Sequence, residues 1–261
     1  MSDDKRLLAL GVGGGDKLQS LALVIPCYVN VPTTFFGRML GIVADYPERI
    51  RVEVMKSPYV AQAMRSAVTA LLEEPEWERL VIIEQDMVLP RDALLKHACH
   101  TDDIVGSVYF QHAPPYLLNV MFKDPEGDRG WGHPAPDVVR MMLEKPALYQ
   151  CDVVGLGLTS IARRVFEQWD RDIPFFRTDY DHRARDQNTE GEVSHDVWFC
   201  LRAREQGFGV WLDTSIRCDH LTEGATTHNH YAAAHASHFQ KRIHLPPRNQ
   251  ESHAARLVKS H

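Results

Sequence analysis

Short apolar runs that alternate with helix-period stretches over the first hundred residues constrain this chain more than any other feature. Residues 21–26 (Leu-Ala-Leu-Val-Ile-Pro) form one such run, closed by a proline, and residues 80–83 (Leu-Val-Ile-Ile) form another. Runs of this length fit strands buried on both faces. Residues 49–55 alternate apolar and polar side chains and predict a further strand between them. Helical spacing fills the gaps. Phe36, Leu40 and Val43 share one face of a predicted helix over 33–46, and Ala63, Met64, Ala67, Val68 and Leu71 recur with helical period over 60–73. Residues 91–100 predict a third helix. Alternation of this kind builds parallel βαβ units.

The second half is less regular. Residues 103–110 predict a strand, and 111–148, rich in Pro and Gly, read mostly as loops. Residues 153–161 read as a strand or turn, 162–170 as a helix and 173–192 as polar, irregular chain. A helix over 193–206 is stopped by Gly207. Residues 208–212 and 215–218 predict two short strands. Beyond His220 the chain turns polar, and eight of the fourteen histidines fall between His220 and His261. There is no internal repeat and no sign of a second core. The expected organisation is an N-terminal segment (1–20), one α/β domain (21–222) and a His-rich C-terminal lid or tail (223–261).

Composition removes several function classes. At 44% hydrophobic and 25% charged residues the chain can bury a sizeable core. A net charge of -6 argues against non-specific nucleic-acid binding, which calls for a basic excess. Five scattered cysteines without a Cys-x-x-Cys pair argue against a disulfide framework or a cysteine zinc site, and favour a reducing cytoplasm. No apolar run approaches the ~20 residues of a membrane span. The polar start, with its apolar stretch broken by glycines, does not read as a signal peptide. Gly11 to Gly15 precede the first strand, whereas a dinucleotide fingerprint follows one. A Walker lysine pattern and a Gly-x-Ser-x-Gly elbow are both absent.

Three blocks carry candidate chemistry. Glu84-Gln85-Asp86 directly follows the strand at 80–83, where open α/β sheets place their ligands. Two carboxylates there form either a solvated acidic turn or a site for a divalent cation, which needs hard oxygen donors. Asp196 falls in the first turn of the helix over 193–206, either as an anion placed against the helix dipole or as a proton acceptor. His220 ends a short strand, as a surface or core histidine or as a metal ligand.

The Glu84-Gln85-Asp86 block, with Met87 and Pro90 behind it, resembles the Asp-x-Asp motif of GT-A-fold, nucleotide-sugar-dependent glycosyltransferases, with Glu84 in the first acidic position and Asp86 in the second. The segment around His195-Asp196 is similar to that family's acidic pair, with His195 in place of the usual Glu. Arg217-Cys218-Asp219-His220 matches the place of its metal-ligating histidine, and Gly155-Leu156-Gly157 its glycine-rich segment beside the donor sugar. The ordered set spans about residues 21–221 and resembles small glycosyltransferases of bacteriophages and bacteria.

The resemblance implies a single GT-A-type, Rossmann-like nucleotide-sugar-binding domain with a mixed central sheet. It implies a metal-dependent, hexosyl-transferring enzyme that uses Mn²⁺ or Mg²⁺ held by Asp86 and His220 with Glu84 nearby, and Asp196 as the base of an inverting reaction. It places Pro26, Tyr28, Arg65, Glu84, Gln85, Gly155 and Gly157 around a UDP- or GDP-linked donor. For Arg65 a solvated helix charge is an equal reading. The acceptor, be it polysaccharide, small molecule, protein or modified DNA base, is not written in the residues. A nucleotidyltransferase would use similar acidic ligands, but with a basic glycine-rich loop where this chain has residues 27–34 without Lys or Arg. An inactive sugar- or partner-binding module on the same scaffold is the third reading. Residues 222–234, with Gly224, His228 and His230 and little to anchor them in a core, are expected to close over a bound diphosphate or to form a passive tail.

Overall fold

The computed structural model describes residues 18–27, 31–46, 50–57, 59–123, 131–177, 194–221, 225–226, 231 and 235. Tyr28 and most of residues 222–234 lie outside this set. In chain order the elements are β1 (Leu21–Cys27), α1 (Thr33–Ala44), β2 (Ile50–Lys56), α2 (Val60–Glu73), β3 (Arg79–Ile83), β4 (Met87–Val88), α3 (Ala93–Cys99), β5 (Ile104–Val108), β6 (Val120–Lys123), β7 (Trp131–Gly132), α4 (Pro136–Glu144), β8 (Leu148–Gln150), β9 (Val153–Val154), β10 (Leu158–Ala162), α5 (Arg163–Glu167), α6 (His195–Glu205), β11 (Val210–Arg217), β12 (Asp219–Leu221) and β13 (Ala225–Thr226).

The expected βαβ units form. β1 pairs parallel with β2 and with β3, and the main seven-stranded sheet runs β2-β1-β3-β10-β5-β11-β8. The sheet is mixed because β10 runs antiparallel between β3 and β5, and β8 antiparallel beside β11. Pro26 fits β1 because β3 accompanies that strand only over residues 21–24. Beyond them the missing proline N–H breaks no bond to β3.

Alternation along the strands splits the core between the two faces of the sheet. Leu21, Leu23 and Ile25 of β1 and Val81 and Ile83 of β3 pack under α1 and α3. Ala22, Val24, Leu80 and Ile82 point the other way, against Met64, Val68 and Leu71 of α2 and against Phe199, Cys200 and Ala203 of α6.

Several expectations need correction. α1 buries Phe35, Met39 and Ile42, so Phe36 and Leu40 of the expected face stand in solvent and Val43 is only partly covered. Both sets share helical spacing. The Arg38 Nε donates to the Leu89 carbonyl at 2.8 Å and helps fix the rotation of the helix. The stretch 111–148 is not mostly loop, since it holds β6, β7 and α4, whose proline occupies the first helical turn, where an N–H is unpaired anyway. The two short strands expected over 208–218 are one strand, β11, with a register shift between Asp213 and Arg217. Tyr231, in the segment expected to lack an anchor, is buried and stacks on Phe110 with ring centroids 4.7 Å apart. No described helix is long and apolar enough to cross a membrane.

The orientation of α1 is testable. Truncating the buried Phe35 (Phe35→Ala) should cost about 3–5 kcal/mol in chemical denaturation, the usual range for a core Phe. Phe36→Ala should cost far less. The reverse order would mean that the helix packs on its other face.

Candidate metal centre

β3 is buried along its whole length and delivers the chain to Glu84 at its carboxyl end. The turn that follows is held from both sides. Glu84 N–H donates to the Gly157 carbonyl at 2.8 Å, and Met87 N–H closes back on the Glu84 carbonyl at 3.1 Å. β4 then pairs antiparallel with β12, with His220 opposite Met87, and Leu221 N–H donates to the Asp86 carbonyl at 2.6 Å. That ladder sets the His220 side chain beside the Asp86 carboxylate.

His220 is buried, and its Nδ1–H donates to the Phe110 carbonyl at 2.9 Å. A carbonyl can only accept, so this bond holds the Nδ1 proton and turns Nε2 toward Asp86, to which it donates when protonated and where its lone pair would serve a cation once that proton is lost. His220 Nε2 lies 3.3 Å from Asp86 Oδ2. A third candidate donor comes from the loop after β5: His112 Nε2 lies 3.4 Å from the same oxygen, and its ring lies against His220, tilted by 30°, at 3.5 Å between centroids. One donor atom from each of the three residues falls within 4.8 Å of the others. Asp86 Oδ1 is buried and has no hydrogen-bond partner. A buried carboxylate oxygen without a partner is costly unless something else satisfies it. Two imidazoles and one carboxylate suit Mn²⁺ and related transition cations better than Ca²⁺. The residues fit a cation.

Electrostatics agree with the geometry. Burial works against the Asp86 charge, yet the His220 hydrogen bond, the His220 charge and the nearby His112 hold its carboxyl below the usual range. Burial likewise opposes charge on His220, but the Asp86 bond, the Phe110 carbonyl and the Asp86 and Glu84 carboxylates outweigh it and raise its pKa. His112 is lowered, by burial and by the neighbouring His220. Glu84 is pushed up to about 7 by burial and by the charges of Asp86 and Asp196, against the pull of His220.

The expected residues therefore divide. Asp86 and His220 come together, and His112, which the sequence reading missed, joins them. Glu84 stands behind this trio rather than in it. Gln85 sits on the same turn, with a buried Oε1 that has no partner. Asp196 opens α6, and its Oδ1 accepts the Val197 N–H at 2.9 Å and the Ser194 hydroxyl. Its charge acts on both Glu84 and Tyr109 and opposes their ionisation. Pro26 lies at the carboxyl end of β1, and Tyr28 lies outside the described residues.

Gly155 and Gly157 form a turn against Tyr109. A Cβ on Gly155 would collide with the Asn119 amide and the Tyr109 hydroxyl, and one on Gly157 would stand 2.7 Å from Tyr109 Cζ. The glycines admit the protein's own tyrosine at this turn. Arg65 is exposed on α2 and donates to the Phe176 carbonyl at 2.6 Å, in a cleft with Arg163, Trp169 and Phe175. The structure does not bring it to the Asp86 trio.

No protein-family model matches the chain, and no curated protein matches it in sequence. Solved structures do match in shape. A197 from STIV aligns over 78% of this chain and 86% of its own, with 16% identity and a TM-score of 0.52. GalNAc-T7, solved with UDP, GalNAc and Mn²⁺, aligns over 84% of this chain but only 48% of its own, with 12% identity and a TM-score of 0.50. The fold is of the GT-A type. At these identities the likeness extends to the fold alone.

The trio makes a direct prediction. In calorimetric titration with Mn²⁺, Asp86→Ala should abolish the binding seen with the unaltered protein. His112→Ala should weaken it by at least ~10-fold, since loss of even an outer partner has that effect. Unchanged affinity in His112→Ala would remove that residue from the centre.

Proposed function

We propose that the chain is a metal-dependent glycosyltransferase that moves a sugar from a nucleotide-sugar donor to an acceptor hydroxyl. The observation that carries this reading is the Asp86–His112–His220 donor set at the carboxyl end of β3, on a sheet of GT-A type. GalNAc-T7, which shares the fold, was solved with a nucleotide, a sugar and Mn²⁺. The reaction needs a positive centre where negative charge develops on a departing diphosphate, and a cation supplies it as a Lewis acid. Asp86 and His220 are its principal holders and His112 the third. The donor set favours Mn²⁺ over Mg²⁺.

The chain's own groups supply the rest. Pro26 at the end of β1 and Glu84-Gln85 at the end of β3 adjoin at the carboxyl edge of the sheet, the side on which we place a UDP- or GDP-linked donor. Asp196 is assigned to deprotonate the acceptor hydroxyl. Its Oδ1 is tied to the Val197 N–H and the Ser194 hydroxyl, which fixes the carboxylate plane and leaves Oδ2 to take the proton. Attack from that side, opposite the diphosphate, inverts the anomeric carbon.

The test is donor turnover by the purified protein with Mn²⁺ across a panel of hexose nucleotides. Release of nucleoside diphosphate is expected, and release of pyrophosphate would instead indicate a nucleotidyltransferase. Asp196→Asn retains size and capping ability but cannot accept a proton, so transfer should fall by ~100-fold or more with donor affinity kept. Equal loss of binding and transfer would place Asp196 in the donor site.

A further inference from the structure

β2 is the terminal strand of the seven-stranded sheet, and among the described residues nothing pairs with its outer edge. Ile50 packs with the α1-side core, so Val52 and Val54, at even spacing from it, share that face. Both are exposed, at 41% and 48%. Phe36 and Leu40 of α1 are exposed as well, at 51% and 56%. They lie on the flank of α1 opposite Arg38, whose side chain reaches toward β4 through the Leu89 carbonyl. Val52 and Val54 thus form an apolar strip along an open strand edge, and Phe36 and Leu40 are further exposed apolar side chains on the same side of the sheet. Exposed strips of this kind mark interaction sites, and an unpaired edge is a template for another strand.

We propose that this edge joins two copies of the chain by antiparallel pairing of β2 with its counterpart, centred on Val52. A two-fold axis normal to the sheet keeps α1 on the same side in both copies and centres the ladder on one residue. With Val52 at the centre, Val52 meets Val52, Ile50 meets Val54, and Arg51 meets Glu53 in both halves. Centring on Arg51 or on Glu53 sets like charges against each other across the axis, and centring on Val54 puts Val52 opposite Lys56. Only the Val52 register matches apolar with apolar and positive with negative. Arg51 already pairs within the chain with Glu53 at 2.5 Å and with Glu74 while remaining part-exposed, so the same charges extend into a network across the axis in the dimer. Pairing makes one continuous sheet and brings the two apolar strips side by side. The Asp86 centre, at the end of β3, stays outside the contact.

Sedimentation equilibrium of the full chain across the micromolar range tests this, with thermal unfolding of each variant as the control for folding. The unaltered protein should sediment at twice the chain mass. Val52→Lys places two ammonium groups across the axis and should weaken the dimer by more than ~10-fold. Glu53→Arg should do the same by opposing Arg51, and the exchange Arg51→Glu with Glu53→Arg, made together with Glu74→Gln so that the partner of Arg51 does not repel the new carboxylate, should restore the dimer. If Val52→Lys does not fold, the charge exchange decides alone. A monomer throughout the range, a dimer indifferent to Val52→Lys, or failure of the exchange to restore association would overturn the proposal. So would a monomer that dimerises only after removal of residues 1–17, because that segment would then be the natural occupant of the edge.

Discussion

The pairing of β4 with β12 is the contact on which the candidate centre depends. Neither strand is long, and both lie outside the main sheet. Their register nonetheless sets His220 opposite Met87, one residue from Asp86, and the Leu221 N–H locks onto the Asp86 carbonyl. Two residues far apart in sequence are thereby set in register by backbone hydrogen bonds, and backbone ladders tolerate little slippage. A one-residue shift would turn the His220 ring to the opposite face and dismantle the trio.

Around that ladder the structure invests in positioning. The buried Tyr109 hydroxyl accepts the Gly157 N–H at 3.0 Å and a bond from the Asn119 amide, while its ring meets His220 edge-on with centroids 5.4 Å apart. Burial, with the nearby Glu84 and Asp196 charges, keeps this phenol neutral well beyond its ordinary range. Phe110 ties the arrangement to the C-terminal side, because its carbonyl orients His220 and its ring carries Tyr231. The Gly155–Gly157 turn, the tyrosine and His220 therefore form one packed unit, in which a change at the glycines is transmitted to the imidazole. Such support is what holds ligands in place before a cation arrives.

Much of the framework was legible in the sequence and the departures have definite causes. Apolar runs gave β1 and β3, and periodicity gave α1 and α2, because burial on both faces of a sheet leaves an uninterrupted apolar signature. Strand direction carries no such signature, so the antiparallel β10 could not be read from residues 158–162. On α1 two apolar sets, 35/39/42 and 36/40/43, have the same spacing, and which set is buried depends on contacts with Leu89 and the sheet that lie far away in sequence. Pro136 was taken for a loop signal, although with Asp137 behind it the same residue is a helix start. Asp86 and His220 were legible because strand ends and residue type marked them. His112 is one of fourteen histidines, in a proline-rich loop, and only its approach to Asp86 and His220 in space distinguishes it. No local pattern could have found it.

The account turns on whether these two imidazoles and one carboxylate bind a single ion. Pulsed electron paramagnetic resonance of the Mn²⁺-loaded protein reads that directly, through the hyperfine coupling of directly bonded nitrogen to the metal. The account predicts coupling to two histidine nitrogens, reduced to one in His112→Ala and in His220→Ala. A spectrum with oxygen ligands only, or one unchanged by either substitution, would contradict it.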